Sequence, residues 1–161
     1  MTTDFDSLLA ELTTAYPTGF AIALHIRFTS PRFLLQTYDP EWIETYSRKG
    51  MVMYDPTVRW GLRHAGAIRW EDLPDIDAQG ATVLDAARGY GLTHRFTVAC
   101  CDHGSRSVAS FTRTDRPATD AEMATASDQI MRLHAMTANG ADIGAAGRAA
   151  IARLSIRLTT P

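Results

Sequence analysis

Two strand-forming segments separated by a tight turn place the strongest constraint on the fold of this chain. Residues 94–101, HRFTVACC, and residues 107–114, SVASFTRT, flank the turn Asp102-His103-Gly104-Ser105. A short polar turn with a glycine between two such segments is typical of a β-hairpin. The two strands must then pair antiparallel, so we expect a mainly antiparallel sheet.

Two Asp-Pro pairs each predict the start of a helix. In Asp39-Pro40 and Asp55-Pro56 the aspartate is suited to the N-cap, and the proline to the first helical position. We expect the first of these helices to end at Gly50 and the second to reach about His64.

Hydrophobic spacing and a capping box predict the remaining elements. The predicted helices cover residues 4–15, 78–90 and from Thr119, capped with Glu122, to about Ala138; the predicted strands cover residues 19–28, 32–38 and 67–70. We therefore expect an α/β (α+β) fold. It is an α-β-α sandwich with a mostly antiparallel five-stranded sheet and helices on both faces.

Composition excludes several classes of protein. The 161 residues suit one domain, and 45% hydrophobic with 21% charged residues argues against global disorder. The formal net charge of -2 leaves no basic nucleic-acid footprint. The chain has no apolar run long enough to span a membrane, and its acidic start is unlike a signal peptide, so we expect a cytoplasmic protein.

Aromatic residues with polar tips are concentrated in one fifth of the chain. Six of the eight Trp and Tyr residues lie between positions 38 and 70: Tyr38, Trp42, Tyr46, Tyr54, Trp60 and Trp70. A buried indole N–H or phenol O–H needs a hydrogen-bond partner, so ordinary cores prefer aliphatic residues. The concentration indicates a pocket whose polar tips converge on a ligand.

The spacing of these residues resembles a known family. Tyr38, Trp42, Tyr46, then Asp55-Pro56, then Trp70 is similar to the autoinducer-binding domain of LuxR-type quorum-sensing transcriptional regulators. The segment YGLTHRFTVACCDHGSRSVASF looks like that family's Gly-Leu turn and paired strands. The resemblance covers about residues 16–137 and implies a GAF- or PAS-like sandwich.

By this resemblance the ligand is an N-acyl homoserine lactone, and the residues suit its chemistry. Asp55 would accept the amide N–H, and the Tyr38 hydroxyl and Trp42 indole would donate to the carbonyls. As in the family, Trp70 would pack its face on the lactone ring and Tyr46 would pack against the ligand. We expect no other cofactor and no metal.

Strand residues are expected to complete the pocket. The resemblance places Ser110 as a donor to the amide carbonyl, with Thr112 as the alternative, because a one-residue gap in the hairpin would exchange them. Four residues at inward parity with Tyr38 are expected to line the acyl channel: Ile22, Leu24, Leu34 and Gln36.

Simpler roles exist for the same residues. Asp55 is suited to capping alone, Trp42 and Tyr46 to a core, and Trp70 to covering a sheet edge. The flanking aromatic residues favour ligand contact for Asp55, and the two oxygens of its carboxylate allow both roles.

Other residues do not indicate catalysis. Trp60 and Tyr54 match no ligand position of the family and are expected to pack. The adjacent Cys100 and Cys101 are expected to be reduced thiols in a strand. The histidines lack HxxxH or HExxH spacing, and GxSxG is absent, so we do not expect an enzyme.

One position departs from the family pattern. Arg95 stands where the family usually has glycine. If that position required a glycine conformation, the local turn would have to differ, and an arginine near the pocket rim would alter the choice of ligand.

The leading functional prediction is a ligand-sensing domain at residues 1–137. Residues 138–161 are expected to form a linker toward a helix-turn-helix domain missing from this chain. The lactone would control dimerisation, as a homodimer, and DNA binding by the full-length protein. The alternatives are a stand-alone domain that forms inactive heterodimers with a full-length regulator, and a sensor of a non-lactone signal.

Overall fold

The computed structural model describes residues 4–28 and 30–138. The elements follow in the order α1 (Asp4–Ala15), β1 (Phe20–Arg27), β2 (Ser30–Gln36), α2 (Pro40–Arg48), α3 (Pro56–Gly61), β3 (Gly66–Arg69), α4 (Ala78–Gly89), β4 (His94–Asp102), β5 (Ser105–Arg113) and α5 (Asp120–Met136). Short 3₁₀ turns lie at Met51–Met53 and Trp70–Asp72. The order of helices and strands expected from the sequence is confirmed.

The five strands form one antiparallel sheet in the order β2-β1-β5-β4-β3. The predicted hairpin joins β4 to β5, with Asp102 paired to Ser105. Its two turn residues, His103 and Gly104, both have positive φ, which matches the twist of the flanking strands. Because β1 also pairs with β5, the first and last strands among the described residues lie side by side in the sheet.

Helices cover both faces of the sheet, which confirms the α-β-α sandwich. One face packs against α1 and α5 through a core that includes Phe5, Leu12 and Ile130. The opposite face packs against a second cluster contributed mainly by α2, α4 and their flanking turns, including Trp42 and Val83. Five of the six aromatic residues between positions 38 and 70 belong to this second layer, and Tyr54 is exposed.

Local capping explains where the helices begin. Asp39 accepts a hydrogen bond from the Glu41 backbone N–H, and Asp55 accepts one from that of Thr57. The capping box of Thr119 and Glu122 is present in both directions. These three predicted helix starts are confirmed.

Several predicted ends shift by a few residues. Helix α2 ends at Arg48, and α3 ends at Gly61 because the N–H groups of Arg63 and His64 both turn back to the Trp60 carbonyl. Trp70 lies in a 3₁₀ turn after β3 and not within the strand. Residues 139–161 of the predicted linker lie outside the described residues. Within residues 4–28 and 30–138, we find no helix with the length and apolar character needed to cross a membrane.

Candidate functional site

A cavity of about 420 Å³ lies between the second face of the sheet and the layer that contains α2, the turn Met51–Met53 and α3. Strands β1, β2 and β5 form its sheet side. Eight residues predicted for the site line it: Leu34, Gln36, Tyr38, Trp42, Tyr46, Asp55, Trp70 and Ser110. The structure thus brings together side chains from four separate parts of the chain, while their contacts with a ligand stay predictions.

Asp55 uses its two carboxylate oxygens differently. Oδ1 accepts hydrogen bonds from the backbone N–H of Thr57 at 2.9 Å and from its hydroxyl at 2.7 Å, which caps α3. Oδ2 accepts from the Tyr46 hydroxyl at 2.7 Å. Asp55 is 9% exposed and lines the cavity. Capping therefore leaves a second, buried oxygen available on the cavity side.

The two tyrosines remain hydrogen-bond donors at neutral pH. Burial, followed by the negative charge of Asp55, raises the pKa of Tyr38 and of Tyr46 far above the usual value near 10. The Tyr38 hydroxyl donates to the main-chain carbonyl of Ser110 over a long 3.3 Å. A stronger acceptor inside the cavity would compete for this proton.

Trp42 lines the cavity with an indole ring whose N–H is unpaired among the described residues. Its ring is buried and makes an edge contact with Tyr46, with the centroids 5.7 Å apart. Among the described residues, this N–H has no hydrogen-bond partner. Every described side-chain N or O atom that is completely buried does have one. The Trp42 N–H is therefore not closed off, and Trp42 lines the cavity.

A chain of three hydrogen-bonding groups crosses the sheet side of the cavity. The Trp70 indole N–H donates to the Thr97 hydroxyl at 2.8 Å, and the Thr97 and Ser110 hydroxyls lie 2.7 Å apart. Thr97 has one proton of its own, and donating it to Ser110 leaves the Ser110 proton free to point into the cavity. This arrangement allows Ser110 to act as a donor.

The structure places Ser110, and not its alternative Thr112, at the cavity. Thr112 is buried and donates from its hydroxyl to the Gly19 carbonyl at 2.9 Å. Ser110 pairs with Thr97 across the β4–β5 hairpin and with Ala21 across the β1–β5 pair. The expected register of the hairpin is therefore the observed one.

The expectation that Ile22 and Leu24 line the channel is wrong. Both side chains are fully buried on the opposite face, in the core formed with α1 and α5. The alternation of apolar residues identified β1 as a strand, but Ile22 and Leu24 pack in the core with α1 and α5. The small residues Ala21 and Ala23 line the cavity instead.

Strand register explains this exchange of faces. Ala23 lies opposite Leu34, and directly opposed residues of neighbouring strands share one face. A bulge between Ala23 and Ile26, with His25 at a φ of 57°, then returns Ile26 to the cavity side. Period-two parity within β1 does not reveal such a bulge, so sequence reasoning missed Ile26.

Thr57 and Thr97 are two further site residues that the sequence analysis did not identify. Thr57 lines the cavity and holds the capping oxygen of Asp55. Thr97 fixes the edge of the Trp70 ring. A hydroxyl two residues after an N-cap is a usable sequence signal for Thr57, whereas the role of Thr97 depends on strand pairing.

Arg95 occupies an ordinary strand position. It lies within β4 opposite Thr112, so an extended backbone accommodates it and no special turn is needed. Its side chain is half-buried against the Trp70 ring and does not line the cavity.

Trp60, Tyr54 and the two cysteines do not line the cavity. Trp60 is half-buried and stacks on His64, with the centroids 5.2 Å apart, while Tyr54 is exposed. Cys100 and Cys101 are free cysteines on β4, and burial raises the pKa of the Cys100 thiol to about 11.

Comparison with known families identifies this architecture. The model of the family described as "Autoinducer binding domain" matches residues 19–140, which include every residue that lines the cavity. The chain belongs to this family. The resemblance to the autoinducer-binding domain of LuxR-type regulators is thereby confirmed, and its described cavity is the candidate autoinducer site.

Individual relatives of this autoinducer-binding domain support the assignment. Transcriptional activator protein VanR of Vibrio anguillarum is 27% identical over 95 residues, which are 57% of this chain and 39% of VanR. The matched region thus spans about two fifths of VanR.

Solved structures share the fold of this autoinducer-binding domain. Escherichia coli SdiA matches with a TM-score of 0.61 at 18% identity, covering 100% of this chain and 66% of SdiA. SdiA in complex with octanoyl-rac-glycerol matches with a TM-score of 0.62 at 20% identity, covering 100% of this chain and 64% of SdiA. The N-acylhomoserine lactone dependent LuxR family factor CepR2 of Burkholderia cenocepacia matches with a TM-score of 0.54 at 17% identity. The match covers 96% of this chain and 82% of CepR2.

Proposed function

We propose that this autoinducer-binding domain binds an N-acyl homoserine lactone in the cavity described above. The observation that carries the proposal is the pairing of an unpartnered Trp42 indole N–H with the buried Asp55 carboxylate on one cavity. A ligand that satisfies both must offer an acceptor and a donor close together, as an acylated amino lactone does with its carbonyls and amide N–H.

The polar groups match the headgroup of such a ligand. Asp55 Oδ2 accepts the amide N–H while Trp42 donates to the lactone carbonyl, and Tyr38 and Ser110 supply donors for the amide carbonyl. The Trp70 ring packs on the lactone. Each of these groups lines the cavity, and each has a hydrogen-bonding atom or ring face available for the purpose.

The rest of the cavity suits an acyl chain. Its lining includes these aliphatic side chains from the sheet, α3 and the turn that follows α3: Ala21, Ala23, Ile26, Leu34, Val58, Leu62 and Val108. A volume of about 420 Å³ is typical of a small-molecule site. Apolar burial of the chain then supplies about 0.8 kcal/mol for each CH₂ group.

We propose that the whole protein acts as a sensor of the ligand and not as an enzyme. Ligand binding in the cytoplasm would stabilise the folded domain and control homodimerisation and DNA binding, the latter through a separate helix-turn-helix domain. CepR2 is an N-acylhomoserine lactone dependent LuxR family factor and shares the fold, which supports this proposal. No cofactor other than the ligand is part of it.

Thermal unfolding with a panel of acyl homoserine lactones of graded chain length tests the proposal. A ligand at a thousandfold excess over its dissociation constant stabilises the folded state by about 4 kcal/mol. For a domain of this size, that raises the midpoint by roughly 8–16 °C. A folded protein whose midpoint no lactone changes would refute the proposal.

A second ligand class has a specific observation in its favour. SdiA, which shares the fold, is known in complex with octanoyl-rac-glycerol, an acyl chain on an acyclic hydroxylated headgroup. The same thermal panel should therefore include monoacylglycerols. Stabilisation by these compounds alone would identify a non-lactone signal.

A further inference from the structure

The Trp70 ring is held from two directions by residues of β4. Its indole N–H bonds to Thr97, and the guanidinium carbon of Arg95 lies 4.3 Å from the centroid of the ring. Arg95 and Thr97 are two residues apart on the strand, so their side chains leave the same face of the sheet. One support holds the edge of the indole, and the other covers one of its faces.

Arg95 is itself fixed in place. Its Nη1 donates to the main-chain carbonyl of Leu84 in α4 at 2.7 Å. Burial, followed by the nearby charge of Arg88, lowers the pKa of Arg95 to about 10, so the side chain remains a cation at neutral pH. A partly desolvated cation at this distance from an indole face is attracted to the ring.

Trp70 and Arg95 differ in whether they line the cavity. Trp70 lines it, whereas Arg95 does not. Arg95 therefore acts on a ligand without lining the cavity: its charge reaches Tyr38 and Asp55 at a distance, and its contact with Trp70 sets the orientation and electron density of that ring. A cation on the outer face also makes the ring more receptive to oxygen-rich groups on its inner face.

We propose that Arg95 is a positioning residue that presents the inner face of Trp70 to a ring-shaped, oxygen-bearing headgroup, and so selects lactones over acyclic headgroups. The inference rests on the proposed function, because it assumes that the headgroup lies at the Trp70 end of the cavity. It predicts an effect on selectivity and not merely on stability.

The test compares two ligands with the same acyl chain by calorimetric titration of the 161-residue chain. The ligands are N-octanoyl homoserine lactone and octanoyl glycerol, and the variant is Arg95→Gln. Glutamine removes the cation and is too short to reach the Leu84 carbonyl, so the comparison of the two ligands, and not the loss for one of them, separates the effect on Trp70 from the loss of that bond. We expect lactone affinity to fall roughly 3- to 30-fold and glycerol affinity to change less than about twofold.

Arg88→Gln is the matched control. Arg88 is exposed on α4 and pairs with Asp85 at 3.2 Å, so its loss removes a nearby positive charge without touching Trp70. The ratio of lactone to glycerol affinity should stay at the wild-type value. A fall of that ratio in Arg88→Gln equal to the fall in Arg95→Gln would overturn the proposal.

The remaining outcomes are also decisive. Equal losses for both ligands in Arg95→Gln would show that Arg95 only ties α4 to the sheet, and no loss would overturn the inference while leaving the proposed function intact. A wild-type chain that binds no lactone would overturn both. If Arg95→Gln fails to fold, Arg95→Met decides: methionine keeps an apolar contact with the ring but removes the cation, so a reduced ratio supports the proposal and an unchanged ratio overturns it.

Discussion

Replacing Asp55 by asparagine tests the centre of the cavity with the smallest change of shape. The remaining oxygen still accepts from Thr57, because Asn and Asp are about equally good N-caps. The new NH₂ group takes the place of Oδ2, which now accepts from the Tyr46 hydroxyl at 2.7 Å. The helix cap survives, while the buried negative charge and its acceptor on the cavity side are lost.

The magnitude follows from the hydrogen bonds that change. A bond to a charged group contributes about 1.5–3 kcal/mol and a neutral one about 1 kcal/mol, so the ligand-free chain loses roughly 1 kcal/mol, or about 2–4 °C. In the complex, the amide N–H of a lactone would face an NH₂ group. Losing that bond and leaving a buried donor unpaired costs about 2–3 kcal/mol, a roughly 30- to 150-fold loss of affinity.

Asp39→Asn provides the matched control. Asp39 begins the other Asp-Pro helix and accepts from the Glu41 backbone N–H at 2.8 Å, but it is exposed and lies outside the cavity lining. We expect this variant to keep both the ligand-free midpoint and the lactone affinity.

Calorimetric titration with the best lactone of the panel, together with thermal unfolding of each ligand-free variant, provides the assay. A folded Asp55→Asn chain that binds lactone within about threefold of the wild type would refute the acceptor role of Asp55. Equal losses in the two aspartate variants would show that the effect comes from helix capping and not from the ligand.

Three further predictions concern other parts of the site. Trp42→Phe should weaken lactone binding about fivefold and lower the ligand-free midpoint only through the lost packing of the larger ring, since its N–H has no protein partner to lose. Trp70→Phe loses similar packing and also the bond to Thr97, so it should lower that midpoint further; an equal or larger drop for Trp42→Phe in ligand-free melts would contradict this. Ala23 lines the cavity, so Ala23→Leu should shift the lactone preference toward shorter acyl chains. Ile22 lies in the other core, so Ile22→Val should cost about 1 kcal/mol of stability and leave the preference unchanged. Titration of both variants with the lactone panel tests this. Burial lowers the pKa of His134 in the folded chain, so the unfolded chain takes up the proton first, and stability should begin to drop as the pH falls through the ordinary histidine pKa of about 6.5. His134→Gln should flatten this part of the plot of melting midpoint against pH, and an unchanged slope would rule out His134 as its source.

Helix starts and the hairpin could be predicted from sequence because each depends on neighbouring residues. The Asp39 cap joins atoms two residues apart, and the capping box of Thr119 and Glu122 joins atoms three residues apart. The turn at His103-Gly104 likewise requires only a backbone that tolerates positive φ. Such contacts form whatever the rest of the chain does.

The polar end of the cavity was also predictable, for a different reason. Trp42 and Tyr46 share a helix face at i and i+4, and Asp55 caps the next helix close by. A concentration of indole and phenol groups is costly to bury without partners, so its presence indicated a site. The resemblance to the autoinducer-binding family then gave the proposed ligand class, which residue chemistry left open.

The lining of the channel required the tertiary structure. Alternation in β1 identifies a strand, but which face receives Ile22 and which receives Ala23 depends on the layers that pack on each side. The bulge at His25 and the support of Trp70 by Arg95 likewise join elements far apart in the chain. By itself, therefore, the sequence determined the elements, the antiparallel pairing of the hairpin and the polar residues of the site. Only the packing of two helical layers on one sheet decided which faces enclose the cavity, because burial on a given face is a property of the partner as much as of the strand.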